Sequence, residues 1–172
     1  MTNTPRRSST ATVRAAPVAR LAKASAGGLV VHGEALEVTT GARVEIVDLT
    51  DRVMGVVREL GVGEGLVSLW SMHTTCALFI NEAQDALLAD ITAFLEAMVP
   101  REGRYRHNDP AFSDCDRANA DSHLRAMLLG HSLALQVSAG EPVLGQWQRI
   151  LMAELDGPRP RTVRLQVWGI AA

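Results

Sequence analysis

The stretch HTTCALFINE, residues 73–82, decides the predicted fold of this chain. Its apolar second half predicts a β-strand, and residues 66–70 form another apolar, β-prone run just before it. Asn81 and Asp85 then supply residue types that begin helices, and an amphipathic stripe of apolar side chains continues until Pro100 stops it. The sequence therefore predicts two strands followed by an amphipathic helix.

The segments before this stretch predict a hairpin and another helix. Residues 30–38 and 42–47 are short β-prone runs that a Thr-Thr-Gly sequence separates, which is typical of a β-hairpin. Thr50 is then expected to cap a helix that ends at Gly61. The apolar positions of this helix follow the helical period at Val53, Val56, Val57 and Leu60.

The segments after it combine a long polar loop, a short helix and further strands. Residues 101–118 lack periodicity, and loops of this length often carry function. A short helix is predicted at residues 119–129, with Gly130 as its end signal. Strands are predicted at residues 133–138, 143–154 and 162–168. Because turn-type sequences join these strands, we expect an antiparallel meander and an α+β fold class.

Composition divides the chain into an extension and a domain. The 172 residues, 47% of them apolar, suit a single domain with a sizeable core. Five of the 17 basic residues and none of the 19 acidic residues lie in the first 28 positions, which lack an apolar stripe. We therefore predict a disordered basic extension at residues 1–28 and one domain at residues 29–172. A transit peptide is the alternative interpretation of the extension.

The residue types present exclude several classes of function. The acidic balance of residues 29–172 argues against nucleic-acid binding, which needs clustered positive charge, and no apolar run approaches the ~20 residues of a membrane-spanning helix. Lys23 is the only lysine, so the domain has no Schiff-base or P-loop lysine, and a bound phosphate must meet arginine, backbone amides or a metal ion. Cys76 and Cys115 lack CxxC spacing, which indicates a cytoplasmic protein rather than a disulfide framework.

His73, Asn81 and Glu82 form a first group of candidate site residues. Strand alternation places His73 on one face with Ser71 and Thr75, where it is a general base, a ligand or a partly buried structural histidine. Asn81 and Glu82 lie where a strand ends and a helix begins. They are either a cap with a first-turn acid or groups aimed into a cleft, and the residues alone leave both alternatives open.

The long loop and the short helix contain a second group. His107 lies in the loop, Asp116 and Asn119 precede the helix, and His123 shares a helix face with Asn119. Oxygen and imidazole ligands of this kind can hold a divalent metal ion. A solvated loop followed by a helix N-cap explains the same residues without a ligand.

The C-terminal strands and turns add two more candidates. Gln146 and its neighbour Trp147 are expected on a strand, where the aromatic ring would pack across the sheet. Residues 156–159 have the composition of a tight turn that presents Arg159. In a domain without lysine, Arg159 is a reasonable contact for an anion.

Five motifs together resemble the YjbQ-like family, which is described as secondary thiamine-phosphate synthase. They are HTTCALFINE at residues 73–82, YRHN at 105–108, RANADSHLRAMLLG at 117–130, GQWQRI at 145–150 and DGPR at 156–159. The resemblance covers residues 29–169. It implies packed antiparallel β-sheets in a sandwich-like arrangement with two to three helices, a homotrimer, and a site at or near subunit boundaries.

The resemblance also implies a set of site residues and a reaction. The expected catalytic residues are His73, Glu82, His107 and His123; the expected substrate contacts are Asn81, Asn119, Gln146, Arg159 and Arg104; the expected metal ligands are Asp116, His107 and His123. A pyrimidine that carries a pyrophosphate leaving group would be joined to a thiazole phosphate, which gives thiamine phosphate and pyrophosphate. Arginines or a divalent ion, Mg²⁺ or Zn²⁺, would stabilise the leaving group while a histidine protonates it.

Two rival functions are left open by the residues. The first is a metal-assisted hydrolase of a small phosphorylated molecule, which would use the same histidines and acids. The second is a non-catalytic trimeric protein whose polar pocket binds a small ligand. Because the domain is acidic and lysine-free, we expect synthase activity on two anionic substrates to be weak or secondary.

Overall fold

The computed structural model describes residues 12–15, 21–26 and 28–171. Its strands are β1 (Thr12–Ala15), β2 (Leu21–Ala26), β3 (Leu29–Thr39), β4 (Glu45–Asp48), β5 (Val62–Ser71), β6 (Cys76–Asn81), β7 (Ser132–Ser138), β8 (Glu141–Pro142), β9 (Arg149–Glu154) and β10 (Pro160–Ala171). Its helices are α1 (Thr50–Leu60), α2 (Asp85–Met98) and α3 (Ala120–Leu129), with a short 3-10 turn at Arg106–Asn108. Antiparallel sheets with three helices in the described residues confirm the predicted α+β class.

Two sheets form the framework. The larger has the strand order β1-β3-β10-β5-β7-β8, with β2 also paired to β3, and the smaller has the order β4-β9-β6. The predicted meander is wrong, because β10 lies between β3 and β5, and β9 lies between β4 and β6. The predicted hairpin of residues 30–38 and 42–47 is also wrong. Its strands enter different sheets because the chain turns between them, where the Glu45 carboxylate accepts a hydrogen bond from the Gly41 amide at 2.7 Å.

The small sheet is buried on both of its faces. On β9, Ile150 and Met152 pack into the main core that the two sheets share. Ala153 and the following Leu155 pack into a second cluster on the outer face, together with residues of α2 and α3. Because strand side chains alternate between faces, burial on both sides explains the continuous apolar sequence of β9. Two sheets packed around a shared core match the sandwich-like arrangement that was expected.

Helix α1 closes the main core. Three valines of its predicted apolar stripe are buried, and Gly61 ends the helix in the left-handed conformation, with φ 64°, as predicted. Thr50 begins the helix but does not cap it, since its hydroxyl accepts a hydrogen bond from the Ile150 amide at 2.8 Å. The Asp48 carboxylate instead accepts from the Thr50 amide at 2.8 Å. Thr50 therefore fastens α1 to β9.

Helices α2 and α3 cover the outer face of the small sheet. Gln84 caps α2, because its side-chain oxygen accepts a hydrogen bond from the Leu87 amide at 2.8 Å, so the helix begins later than Asn81 suggested. Leu95 is buried, but other large apolar side chains of the two helices stay exposed: Phe94, Met98, Leu124, Met127 and Leu128. Among the described residues, none of the helices combines the length and apolar character needed to cross a bilayer.

The structure differs from the predicted disordered extension in two segments. Thr12–Ala15 pairs with β3 at residues 36–39, and Leu21–Ala26 pairs with β3 at residues 29–33. The edge of β3 opposite β10 offers backbone donors and acceptors for this pairing, which the composition of the extension does not reveal. Residues 1–11, 16–20 and 27 of the predicted extension lie outside the described residues.

Candidate functional site

His107 and His123 form the centre of the candidate site. Their imidazole rings meet edge to face, with the ring centroids 5.0 Å apart. His107 belongs to the 3-10 turn of the long loop, and His123 belongs to α3. Asn108 joins these two segments, because its side-chain oxygen accepts a hydrogen bond from the Ala120 amide at 2.9 Å. The loop is thus held against the first turn of α3, which brings the two histidines together.

A cavity of about 400 Å³ lies against the histidine pair. It is lined by residues 104–107 of the loop and by Ala120, His123 and Leu124 of α3. Its size falls within the range of small-molecule sites, ~300–1,000 Å³. Arg104, a predicted substrate contact, is one of the lining residues, together with Arg106 and the two histidines. This combination suits an anionic small molecule.

The surroundings of His123 lower its pKa. Partial burial disfavours the imidazolium and has the largest effect, and the neighbouring His107 disfavours it further. Asp156 and Asp121 favour the imidazolium and act in the opposite direction. His123 is therefore mainly neutral at pH 7 and can accept a proton or a hydrogen bond. Because Asp156 affects the pKa of His123, the two side chains are close enough to interact electrostatically.

Asp156 joins Asn119 and Arg159 just after the end of β9. The Nδ2 atom of Asn119 donates a hydrogen bond to Oδ2 of Asp156 at 2.8 Å, and Nη2 of Arg159 lies 3.1 Å from the same oxygen. Asn119 occupies the N-cap position of α3, yet its side chain bonds Asp156 instead of a helix amide. The structure therefore brings Asn119, His123 and Arg159 to one end of the small sheet.

A buried ion pair holds the backbone of Asp156. The Arg161 guanidinium donates hydrogen bonds to both carboxylate oxygens of Glu154, and both side chains are almost fully buried. Oε1 of Glu154 also accepts a hydrogen bond from the Asp156 amide at 2.7 Å. Arg161 reaches the Thr75 hydroxyl at 3.0 Å as well. The position of Asp156 is thus set from within the core.

His73 is not one of the residues that line the cavity, and it contacts the backbone of the larger sheet instead. It lies in the turn between β5 and β6, and its Nε2 accepts a hydrogen bond from the Thr162 amide of β10 at 2.8 Å. Partial burial lowers its pKa most, and the neighbouring Arg161 lowers it further. The predicted place of His73 on a strand is wrong, because the residue lies in this turn, and its predicted catalytic role stays a prediction. The Nε2 lone pair is occupied in this structure, and its hydrogen bond links the turn to β10.

Asn81, Glu82 and Gln146 lie at the opposite end of the small sheet. In the register of β6 and β9, Cys76 pairs with Glu154 and Asn81 pairs with Arg149. A strand advances ~3.3 Å per residue, so Asn81 is roughly 17 Å from the Asp156 end. Within one chain, the structure therefore separates these predicted site residues from the His107–His123 cavity.

The local geometry of these three residues also differs from the prediction. The Asn81 side chain accepts a hydrogen bond from the Glu82 amide at 2.9 Å, three residues before α2 begins. Gln146 lies in a loop before β9 and not on a strand, because Gln148 closes a turn by accepting a hydrogen bond from the Gly145 amide at 2.8 Å. Trp147 is 65% exposed in that loop, so it does not pack across the sheet as expected.

The predicted metal ligands are not assembled around one point. His107 and His123 are in contact, but Asp116 is an exposed loop residue. Among the described residues, no group of three His, Cys, Asp or Glu side chains has the arrangement that could hold a metal ion. The described donor set therefore does not form the expected three-ligand centre, and a metal requirement stays a prediction.

Arg43, Arg117 and Asp156 are site residues that sequence reasoning missed. Arg43 contacts both Asp121 and Asp156, and Arg117 lies 3.5 Å from Asp156. Asp156 was interpreted only as part of a turn, and Arg43 belongs to none of the quoted motifs. The absence of lysine from residues 29–172 is the one signal that directs attention to the arginines.

Comparison with known proteins places this arrangement in a family. A family model described as UPF0047 protein YjbQ-like matches residues 34–170. The chain belongs to the YjbQ-like UPF0047 family. A UPF0047 protein of Methanothermobacter thermautotrophicus is 45% identical to it over 139 residues, which cover 81% of this chain and 93% of the relative. The UPF0047 protein YugU of Bacillus subtilis is 30% identical, with 78% of this chain and 97% of the relative covered.

Two solved structures share the fold of this chain. A YbjQ-like protein of unknown function from Sulfolobus solfataricus superposes with a TM-score of 0.76 at 31% identity, which covers 82% of this chain and 99% of that protein. A hypothetical protein from Aeropyrum pernix superposes with a TM-score of 0.73 at 35% identity, with 80% and 98% covered. The chain therefore shares its overall fold with both of these archaeal proteins.

Proposed function

We propose that this YjbQ-like protein is an enzyme that acts on a small phosphorylated molecule in the cavity beside His107 and His123. The observation that carries the proposal is the contact between these two imidazoles in the wall of a cavity that Arg104 also lines. Imidazoles supply a proton acceptor or donor near neutral pH, and a guanidinium binds phosphate oxygens. Together, the imidazoles and the guanidinium meet the requirements of a reaction that has a phosphate-bearing leaving group.

The specific reaction that we propose is the synthesis of thiamine phosphate. The ring nitrogen of the thiazole phosphate attacks the methylene carbon of the pyrimidine, a C–N bond forms, and the C–O bond to pyrophosphate breaks. The electron pair of the broken bond leaves with pyrophosphate. Arg104 would stabilise the charge that develops on this leaving group, because a fixed cation in a partly enclosed site acts more strongly than one in water.

His123 is the proposed proton donor to the departing oxygen. In the free protein its lowered pKa keeps it neutral. A polyanion bound nearby favours the imidazolium and raises that pKa, so His123 would acquire a proton as the charged substrate binds. His107 is close enough to influence this step electrostatically or to donate in its place.

A homotrimer is part of the proposal. One copy of the chain holds Asn81, Glu82 and Gln146 far from its own His123, so these residues would reach a cavity only at a boundary between copies. The exposed apolar side chains of α2 and α3, including Phe94, support an interface there, since a monomer rarely leaves such a surface open. Light scattering should give the mass of three chains, and a monomeric mass for the wild-type protein would remove this part of the proposal.

The compartment and the cofactor also remain proposals. The two cysteines of the chain are both free, which suits the cytoplasm. A divalent ion would accompany the pyrophosphate of the substrate, because Mg²⁺ usually binds through substrate phosphates as well as protein groups. Turnover measured with added Mg²⁺, with Zn²⁺ and with a chelator tests this requirement.

The deciding experiment is turnover by the purified protein with pyrimidine pyrophosphate and thiazole phosphate. We expect thiamine phosphate as product and a rate reduced at least about 100-fold in His123→Ala, as removal of a general acid or base usually gives. His32→Ala is the matched control, because His32 lies on β3 and contacts Glu34 instead of His107. Release of phosphate without formation of thiamine phosphate would favour the rival function of a metal-assisted hydrolase. Ligand binding without any reaction would favour the rival function of a non-catalytic binding protein.

A further inference from the structure

Three arginines from separate segments converge on the carboxylate of Asp156. Nη1 of Arg43 lies 3.1 Å from Oδ1, Nη2 of Arg159 lies 3.1 Å from Oδ2, and Nε of Arg117 lies 3.5 Å from Oδ2. Arg43 precedes β4, Arg117 precedes α3, and Arg159 follows β9. The fold, and not a local motif, therefore assembles this arginine cluster, which we define as Arg43, Arg117 and Arg159.

Asp156 is fixed beneath the arginine cluster. Its side chain is 4% exposed, and it receives the hydrogen bond from Asn119 in addition to the three guanidinium contacts. Its backbone amide is held by the buried Glu154. The carboxylate cannot turn toward solvent without breaking these contacts. It therefore orders the three guanidinium groups before any ligand arrives, which lowers the entropic cost of binding.

The cluster carries more positive charge than Asp156 neutralises. Arg43 has a second acidic partner in Asp121, at 3.2 Å, but Asp121 also lies 3.6 Å from Arg125. For Arg117 and Arg159, Asp156 is the acidic partner found within the described part of the chain. Each guanidinium has five N–H donors in a planar fork, and these contacts use only some of them. The remaining donors suit a group with several anionic oxygens.

The arginine cluster stays open to solvent on its outer side. The side chains of Arg43 and Arg159 are 27% and 26% exposed, and that of Arg117 is 53% exposed. Asp156 occupies the inner side. An anion can therefore approach the guanidinium groups from outside without displacing the carboxylate. This geometry differs from an ordinary buried ion pair, in which both partners are enclosed.

Asp156 and Asn119 connect the arginine cluster to the helix that carries His123. Asp156 acts electrostatically on His123, and Asn119, which bonds Asp156, begins the helix that carries His123. The proposed substrate would reach from the cluster toward the cavity with its phosphate-bearing group. One end would meet the guanidinium groups while its bridging oxygen faces an imidazole.

We propose that Arg43, Arg117 and Arg159 form the subsite that binds the pyrophosphate group of the substrate, with Asp156 as the positioning residue that orders them. This inference rests on the proposed function and identifies its anion-binding subsite. A polyanion is the ligand of choice for three ordered guanidinium groups, because bidentate arginine contacts to phosphate oxygens are strong and directional. In a domain without lysine, arginines are the side-chain cations that can do this.

Isothermal titration of the full-length chain with inorganic pyrophosphate tests the subsite. We expect Arg117→Ala and Arg159→Ala each to weaken pyrophosphate binding at least about tenfold, the loss of one charge-assisted contact. Arg58→Ala is the matched control, because Arg58 is 57% exposed, much as Arg117 is, and pairs with Glu141. Arg117 is exposed, so its variant should fold, and equal melting temperatures of variant and control will verify this.

Unchanged pyrophosphate binding in both folded variants would overturn the inference. An equal loss in Arg58→Ala would overturn it as well, since general charge and not the cluster would then bind the anion. A parallel titration with thiazole phosphate should show a smaller effect of Arg117→Ala if the cluster serves the leaving group, and a larger effect would assign it to the other substrate and contradict the proposal.

The two proposals fail in different ways. If the wild-type protein makes no thiamine phosphate while pyrophosphate binding depends on the arginine cluster, the proposed reaction fails and the subsite stands. If thiamine phosphate forms but Arg117→Ala and Arg159→Ala leave the KM for the pyrimidine substrate unchanged, the reaction stands and the subsite fails.

Discussion

The Nε2 atom of His73 accepts a hydrogen bond from the backbone amide of Thr162 at 2.8 Å. An acceptor nitrogen carries no proton, so the neutral ring must be protonated at Nδ1. The bond joins the turn between β5 and β6 to β10, at the end of the small sheet where Asp156 lies. Protonation of Nε2 would break it, which agrees with the lowered pKa of His73.

Stability should therefore fall as the pH drops below about 6.5. The pKa of His73 is lower in the folded chain than its ordinary value of 6.5, so the unfolded chain binds more protons in this window. The stabilisation is complete above 6.5 and is lost progressively as the pH falls toward the folded pKa. Urea unfolding at pH 7.5 and pH 5 measures the difference.

Two variants separate this histidine from the others. His73→Gln places a side-chain oxygen near the Nε2 position and does not titrate, so it should lose less stability than the wild type between pH 7.5 and pH 5. His73→Ala leaves the Thr162 amide without its acceptor and should cost about 1 kcal/mol or more at pH 7.5. A pH dependence of His73→Gln equal to that of the wild type would contradict this assignment.

The buried pair of Glu154 and Arg161 should be the most sensitive electrostatic contact in the domain. Glu154→Ala would leave the Arg161 guanidinium buried without its carboxylate and remove the acceptor of the Asp156 amide. We expect a loss of about 3–5 kcal/mol in the free energy of unfolding. The surface pair of Arg58 and Glu141 provides the control, since Glu141→Ala should cost much less than Glu154→Ala. Comparable losses in urea unfolding of the two variants would refute the distinction.

The two cysteines should differ sharply in reactivity. Burial is the main reason that the pKa of the Cys76 thiol rises to about 11, so almost no thiolate forms there at pH 8. Cys115 is half-buried in the loop before α3 and more accessible. We expect one equivalent of iodoacetamide on the native chain and two after denaturation, counted by intact mass. Labelling of Cys76 in the native protein, located by peptide mapping, would show that this core opens readily.

Local patterns predicted several elements of the fold, but not how the strands pair. The valine spacing and Gly61 identified α1, and the apolar half of HTTCALFINE identified β6. The position of β10 between β3 and β5 depends on partners that lie far apart in the sequence, and no local pattern encodes it. The apolar run of residues 143–154 was read as one strand, although its first half forms a loop around Gln148.

The residues of the candidate site were predictable where they lie in the five quoted sequence motifs. The resemblance named His107 and His123, which the fold brings into contact. It also named His73, whose hydrogen bond from a backbone amide of β10 is invisible in the sequence. Arg43 joins Asp156 only because the chain turns between β3 and β4. Contacts made by tertiary structure alone are the part that sequence reasoning could not supply.

The coupling between His107 and His123 gives the sharpest prediction for the site. Burial contributes most to the lowered pKa of His123, and His107 contributes next, whereas Asp156 opposes both. His107→Ala removes one lowering contribution and opens the ring to solvent, so the pKa of His123 should rise toward 6.5. Asp156→Asn removes a raising contribution and should lower the pKa of His123 further.

Titration of the imidazole Cε1 protons by NMR measures both pKa shifts, and His32→Ala should leave the titration curve of His123 unchanged. Because His123 is the proposed proton donor, the high-pH limb of the kcat/KM profile should move with the same signs, since that profile reports the free enzyme. Shifts of equal sign in the two variants would show that a change in packing, and not the charge of each neighbour, sets the pKa of His123.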